Sequence, residues 1–185
     1  MRTYNTVILG CRLFDMGNLA TPEFLIARWD ELCRDPSLRN LPYKIELNAS
    51  GKIEMSPAGN RHGRLQGELA LQLGRQLASG QVISECSIFT RIGIRVADIA
   101  WASNVFMDAF GEITPYTRAP EICVEIASPS NPKGELEEKT QAYLAAGAHE
   151  AWIVAEDGSI RYFTMSGEQP KSSFPVTISL PPPIK

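Results

Sequence analysis

Pro120-Glu121-Ile122-Cys123-Val124-Glu125-Ile126-Ala127 is an apolar run of strand length with one acid set inside it, Glu125. A short apolar run bounded by turn residues reads as a strand buried in a sheet. Side chains alternate along a strand, so Ile122, Val124 and Ile126 share one face while Cys123, Glu125 and Ala127 share the other. A carboxylate in that setting needs a metal ion, a base or a proton, because burying it unpaired is costly. Immediately downstream, Ser128-Pro129-Ser130-Asn131-Pro132 is a turn, and Pro132 suits the first turn of a helix running over residues 132–146 to Gly147. A further apolar strand follows at 150–155, giving strand, helix, strand.

Upstream, Ile94-Arg95-Val96-Ala97-Asp98-Ile99-Ala100-Trp101 repeats the pattern, with Asp98 as the internal acid. Two carboxylates converging from neighbouring strands of one sheet form a natural divalent-cation site. The structural alternative is that each acid is bonded to backbone amides or to Arg91 or Arg95. Lys139 lies about seven residues into the helix, or about 10 Å of travel, and Glu125 about the same distance before the end of its strand. The two therefore sit level. A helical projection buries Leu136, Thr140, Tyr143 and Leu144 and leaves Lys139 on the border of that stripe. Spacing alone leaves two readings open: Lys139 reaching Glu125, or Lys139 in an i, i+4 surface pair with Glu135.

The remaining elements fall around this centre. Thr21 can cap a helix that has Pro22 at its first position and continues to about Cys33. Residues 43–47 and 52–55 alternate around Asn48-Ala49-Ser50-Gly51 as a hairpin, with Ile45, Leu47, Ile53 and Met55 on the inner face. A helix over 60–79 carries Leu65, Leu69, Leu73 and Leu77 as its core stripe, and His62, on that stripe, reads as a satisfied histidine near the helix start. Gly63, Gly67, Ala70 and Gly74 form a small-residue ridge that calls for a closely packed neighbour. Between these faces project Arg61, Arg64 and Arg75, candidates for phosphate contact, and Glu68, a candidate accessory acid whose alternative is a pair with Arg64. Strands are expected at 82–90, 93–101 and 160–164, with an Asp157-Gly158 turn and a last edge strand at 174–180.

The bulk numbers narrow the function classes. With 185 residues, 44% hydrophobic and 21% charged, the chain is long enough for one domain with a real core and is not compositionally disordered. Its formal net charge of −3 supplies no overall pull toward nucleic acid, so such binding would need a local basic patch. Cys11, Cys33, Cys86 and Cys123 show no CxxC spacing, which argues against zinc and redox motifs and fits a reducing cytoplasm. Val7-Ile8-Leu9-Gly10-Cys11 looks like a lipoprotein cleavage box, but the polar Thr3-Tyr4-Asn5-Thr6 leaves too short an apolar stretch for a signal peptide. No segment approaches the roughly 20 apolar residues of a membrane span. Gly134 to Thr140 is faintly like a phosphate-binding loop, but Glu138 replaces the glycine required before the lysine.

Residues 120–154, with Glu125-Ile126-Ala127-Ser128-Pro129-Ser130, Glu138-Lys139, Tyr143, Ala146-Gly147 and Glu150-Ala151-Trp152-Ile153-Val154, closely resemble the Uma-type family of putative restriction endonucleases. That family lies within the PD-(D/E)XK nuclease superfamily. Glu54-Met55-Ser56-Pro57 followed by His62-Gly63 resembles its hairpin and helix start, and residues 96–101 resemble its Pro-Asp strand, so the likeness runs in order over 43–165. It implies an α/β, restriction-endonuclease-like fold: a mixed β-sheet core flanked by helices, as one domain with an N-terminal extension (1–42) and a C-terminal tail (166–185). It also implies that Asp98, Glu125 and the Ile126 carbonyl hold Mg²⁺, with Mn²⁺ as a substitute, to activate water against a phosphodiester. Ala97 stands where the family has proline. Ala127 stands where the superfamily motif has lysine, and the resemblance implies that Lys139 supplies that group from the following helix.

The expectation is a metal-dependent endodeoxyribonuclease acting on DNA, cytoplasmic, with no membrane segment, and a homodimer because cutting two strands calls for two sites about a two-fold axis. Two alternatives stand beside it: a non-catalytic nucleic-acid-binding or accessory protein of the same fold, and a metal-dependent hydrolase of small phosphoesters.

Overall fold

The sheet is organised around one long strand, β4 (Gly93–Ser103), buried along all but its last residue. The computed structural model describes residues 19–38, 40–57 and 59–183; the reading of residues 7–11 lies outside them. One edge of β4 is taken over its full length by antiparallel β3 (Gly80–Thr90), from Gly80 opposite Ser103 to Thr90 opposite Gly93. The other edge is shared. β1 (Tyr43–Asn48) pairs with β4 only through Leu47 with Ile94 and Asn48 with Gly93, whereas β5 (Ile122–Ile126) pairs with it from Ile99 to Trp101. Between those contacts β1 and β5 diverge, and residues 95–98 of β4 face the opening.

Outward from this fork, β2 (Ile53–Pro57) closes the hairpin with β1, β6 (Glu150–Val154) lies parallel to β5, and β7 (Ile160–Thr164) and β8 (Gly167–Gln169) continue antiparallel. The eight strands make one mixed sheet flanked by helices, as the sequence implies. β5 and β6 are buried at every position, which is why both read as apolar runs, interrupted in β5 by Glu125 and headed in β6 by Glu150. Helix α4 (Glu135–Ala145) makes the β5–β6 crossover and lays Leu136, Tyr143 and Leu144 over Ala100, Cys123 and Ile153. On the opposite face α2 (Asn60–Gln76) packs Leu65, Leu69 and Leu73 over Ile99, Val124 and Trp152. Helix α1 (Pro22–Arg34), capped by the Thr21 side chain on Phe24 N–H, covers Leu47, Ile94 and Val96 with Leu25, Trp29 and Leu32.

Several expectations shift. Met55 is exposed rather than inward, and Gly63 and Gly67 face open space, so among the described residues the small-residue ridge has no helix against it. Pro132 stays outside α4, which starts at Glu135 after a left-handed Gly134. A short helix α3 (Asn104–Phe110), capped by Ser103, and strand β8 were not foreseen. Residues 174–180 form no strand, and Val176 N–H turns back onto the Phe174 carbonyl. Their backbone is held by side chains instead: Gln76 exchanges two hydrogen bonds with Thr177, and Gln72 two with Ser179. Among the described residues no helix is long and apolar enough to cross a membrane.

Candidate active site

Where β1 leaves β5, backbone amides that would have joined a ladder are freed, and each buried amide needs an acceptor. Carboxylates supply them. Glu46 of β1 accepts from Val96 N–H through Oε1 (2.6 Å), and Asp98 of β4 accepts from Ile126 N–H through Oδ2 (2.7 Å). The fork in the sheet thus fixes two acids, and Glu125, one register step past the Ile99–Val124 pair, lies beside Asp98.

A second irregularity aims Asp98. Ala97 and Ala100, three residues apart, pack in the same layer, so the alternation of β4 slips at Asp98. On β3, Ile83 and Cys86 do the same, and Glu85 between them has φ 53°. A non-glycine residue in that region is uncommon and persists only when its surroundings hold it there. Gln66 of α2 does so here, donating from one amide nitrogen to Glu85 Oε1 and to the Asp98 carbonyl, both at 2.8 Å.

Cations complete the cluster. Lys139 Nζ, from α4, stands 2.9 Å from Glu125 Oε1 and 2.9 Å from Glu46 Oε1. The alternative Glu135–Lys139 surface pair does not form: Lys139 is buried, and Glu135 accepts from Asn131 Nδ2 instead. Tyr143 Oη donates to Glu125 Oε1 at 2.5 Å. Lys44 Nζ, from β1, sits 2.6 Å from Asp98 Oδ1 and 3.5 Å from Glu125 Oε2. His62 Nε2 is 3.3 Å from Asp98 Oδ1, and Arg95 pairs with Glu46 and Glu54 rather than with Asp98 or Glu125. Three buried carboxylates are therefore faced by Lys44, Lys139 and Arg95, as burial of charge requires.

The electrostatics follow from this. Burial pushes the Asp98 carboxyl up, but the His62 hydrogen bond and the Lys44 ammonium outweigh it and hold it well below the usual range. Burial likewise raises Glu46, and Lys139, Lys44 and the Val96 amide overcome it, so Glu46 ends low. Glu125 ends raised: its complete burial is only partly offset by Lys139 and Lys44, and Asp98 and Glu46 push the same way. Lys44 is raised, burial being outweighed by Glu125, Asp98 and Glu46. The hydrogen bond to Asp98 raises His62 against the effect of burial.

The structure thus brings Asp98, Glu125 and Lys139 together, with Ile126 alongside through its amide. The other candidates stand apart. Glu68 accepts from Gln72 Nε2 within α2 and pairs with neither the site nor Arg64. The Arg61 guanidinium is occupied by the Glu156, Pro181 and Pro182 carbonyls, so it clamps the tail rather than waiting for phosphate. Arg64 is exposed on α2. Lys44, Glu46, Tyr143 and Glu85 are the site residues sequence reasoning missed. Lys44 and Glu46 read as the wet face of a hairpin, and only the depth of the β1–β4 junction turns that face inward.

A narrow cleft opens on these groups between Ser56, Ser130 and Asn131, and a larger groove of about 510 Å³ adjoins it, sharing Glu46, Glu135 and Lys139. The sequence of this chain matches, over residues 29–185, the family described as Uma2, putative restriction endonuclease. The chain belongs to that family. Among solved structures, one of the similar folds is a putative nuclease belonging to DUF820 from Anabaena variabilis ATCC 29413. It superposes with a TM-score of 0.58 at 15% identity, covering 72% of this chain and 81% of that one. The Uma2 chain described here therefore shares that nuclease's fold. A search of curated proteins finds no match.

Proposed function

We propose that this Uma2 protein is a divalent-cation-dependent endonuclease that hydrolyses DNA phosphodiester bonds, with Asp98, Glu125 and Lys139 as its catalytic residues. The observation that carries the reading is the convergence of those three side chains, from β4, β5 and α4, in one cleft. The donor set suits a hard cation. Asp98 Oδ1 and Glu125 Oε2 point at a single position, which Lys44 Nζ takes as a stand-in cation. Among the described residues no group of three or more His, Cys, Asp or Glu is disposed around one point. Mg²⁺ asks for less: one or two carboxylates, with water and substrate phosphate for the rest. Asp98, Glu125 and the Ile126 carbonyl would hold Mg²⁺ or Mn²⁺, which supplies a Lewis acid for the phosphoryl oxygen and an activated water.

The chain's own groups do the positioning. Lys139, braced by Glu46 and Glu125, presents a fixed ammonium to the charge that develops on the phosphoryl group. Tyr143 and His62 hold Glu125 and Asp98 in place. Cleavage of both strands would use a homodimer with two such sites, in a reducing cytoplasm. Glu54, Glu135 and Glu138 line the adjoining groove, and with the net negative charge they favour a second reading, a non-catalytic accessory protein of the same fold.

Nicking of supercoiled plasmid in Mn²⁺ or Mg²⁺ decides between them. Wild-type protein should nick, and Lys139→Ala should lower the rate about 10²-fold or more. No metal-dependent cleavage by wild type of duplex, single-stranded DNA or RNA would leave the accessory reading.

A further inference from the structure

Lys44 comes to the site from β1 and has no counterpart among the residues implied by the family resemblance. Its side chain is 11% exposed, and its ammonium touches Asp98 Oδ1 and Glu125 Oε2. The other oxygen of each acid is already committed: Asp98 Oδ2 to Ile126 N–H, and Glu125 Oε1 to Tyr143 and Lys139. Lys44 therefore holds the two oxygens that a divalent ion would take, sharing Asp98 Oδ1 with the more distant His62 Nε2 at 3.3 Å. Mg²⁺ binds oxygen at about 2.0–2.1 Å, and an ammonium nitrogen 2.6 Å from the same atom excludes it by contact and by like charge.

We infer that Lys44 is a built-in competitor for the metal: loading the ion expels its ammonium to the mouth of the cleft, where it becomes a phosphate-binding group for the substrate. The inference rests on the endonuclease reading. Lys44 is free to move in a way that Lys139 is not. Both lysines have the same flexible four-carbon stem, but the second contact of Lys44, to Glu125 Oε2, is loose at 3.5 Å, and its strand, though paired with β2 over Tyr43–Leu47, is tied to β4 only at Leu47 and Asn48. Beside it the cleft is lined by Ser56, Pro57, Ser128 and Ser130, a polar mouth facing solvent. Lys139, by contrast, is held at 2.9 Å by each of its two acids, Glu46 and Glu125. Metal and nucleic acid then bind cooperatively, because the expelled ammonium pairs with the phosphate that arrives, and the coupling is reciprocal.

Two measurements test this. In calorimetric titration with Mn²⁺, Lys44→Met should bind about tenfold or more tightly than wild type, the size of a typical coupling between competing groups; Asp98→Asn should abolish binding in both backgrounds. In wild-type protein, acylation of lysine amines read by mass spectrometry should find Lys44 shielded without metal and about tenfold more reactive at saturating Mn²⁺, with exposed Lys52 unchanged. If wild type binds Mn²⁺ through Asp98 while Lys44→Met binds no tighter, or Lys44 stays shielded at saturation, the competitor role is overturned and the metal site stands. If neither protein binds the ion, the metal reading itself falls and the inference with it. Should Lys44→Met not fold, the acylation measurement on wild type decides alone.

Discussion

Lys139 carries a structural load beside the role proposed for it. Its ammonium compensates Glu46 and Glu125, both buried, so removing it leaves two acids without their shared partner. Deleting one side of a buried ion pair costs about 3–5 kcal/mol. Lys139→Ala should therefore lose stability of that order in chemical denaturation, in addition to its rate, and the loss should shrink when Glu46→Gln is added. A coupling of about 0.5–3 kcal/mol between the two changes is expected for groups in direct contact. Strict additivity would mean that the Lys139–Glu46 contact is energetically idle, and Lys139 would then answer to Glu125 alone. Sequence spacing placed Lys139 level with Glu125 because helix rise and strand rise are both fixed quantities. It could not place Glu46, because a charged residue on an alternating hairpin strand has the same pattern whether that face meets water or a cleft.

The same limit shows at the level of elements. β5 and β6 are legible because strands covered on both faces leave predominantly apolar runs, and α2 because its leucines recur at i, i+4. Helix α3 has only seven residues and one buried apolar side chain, Phe106, too little for a periodic signal. Alternating β-type residues in the tail predict a strand, yet its backbone partners are glutamine side chains, which no strand pattern encodes. The fork between β1 and β5 depends on a further local device. Gly93 has φ 113°, and a Cβ there would lie 2.0 Å from the Leu47 carbonyl oxygen. Its close approach sets the short β1–β4 junction that carries Lys44 to Asp98 and Glu46 to Lys139. Where φ is positive, Gly→Ala destabilises by more than about 1 kcal/mol, so Gly93→Ala should cost at least that, and it should weaken Mn²⁺-dependent nicking as β1 shifts. Unchanged thermal unfolding and unchanged nicking would show that β1 is placed by α1 packing instead.

Across the whole molecule, the C-terminal segment is bound into the core rather than appended to it. Glu150, buried at the start of β6, accepts from Trp152 Nε1, Ser172 Oγ, and both the backbone N–H and Oγ of Ser173. Phe174, Val176, Ile178 and Leu180 then pack over the layer of α2 and the sheet, with Phe174 edge-on to Trp101 at 5.6 Å. Arg61 fastens the far end at Pro181 and Pro182. A chain ending at Lys171 would lose all of this while leaving Glu150 with Trp152 alone. Each half-buried apolar side chain contributes about 1 kcal/mol, and a buried acid stripped of partners costs about 1–3 kcal/mol more. Together these approach the whole stability of an ordinary domain, about 5–15 kcal/mol. The shortened chain should therefore unfold well below the full-length protein in a circular-dichroism melt, and Ser173→Ala should reproduce a fraction of the loss through Glu150. An unchanged melting temperature would reduce the tail to a surface strap. In that case the Glu150 contacts, and with them the placement of β6 beside the β5 strand that carries Glu125, would have to be maintained by the sheet alone.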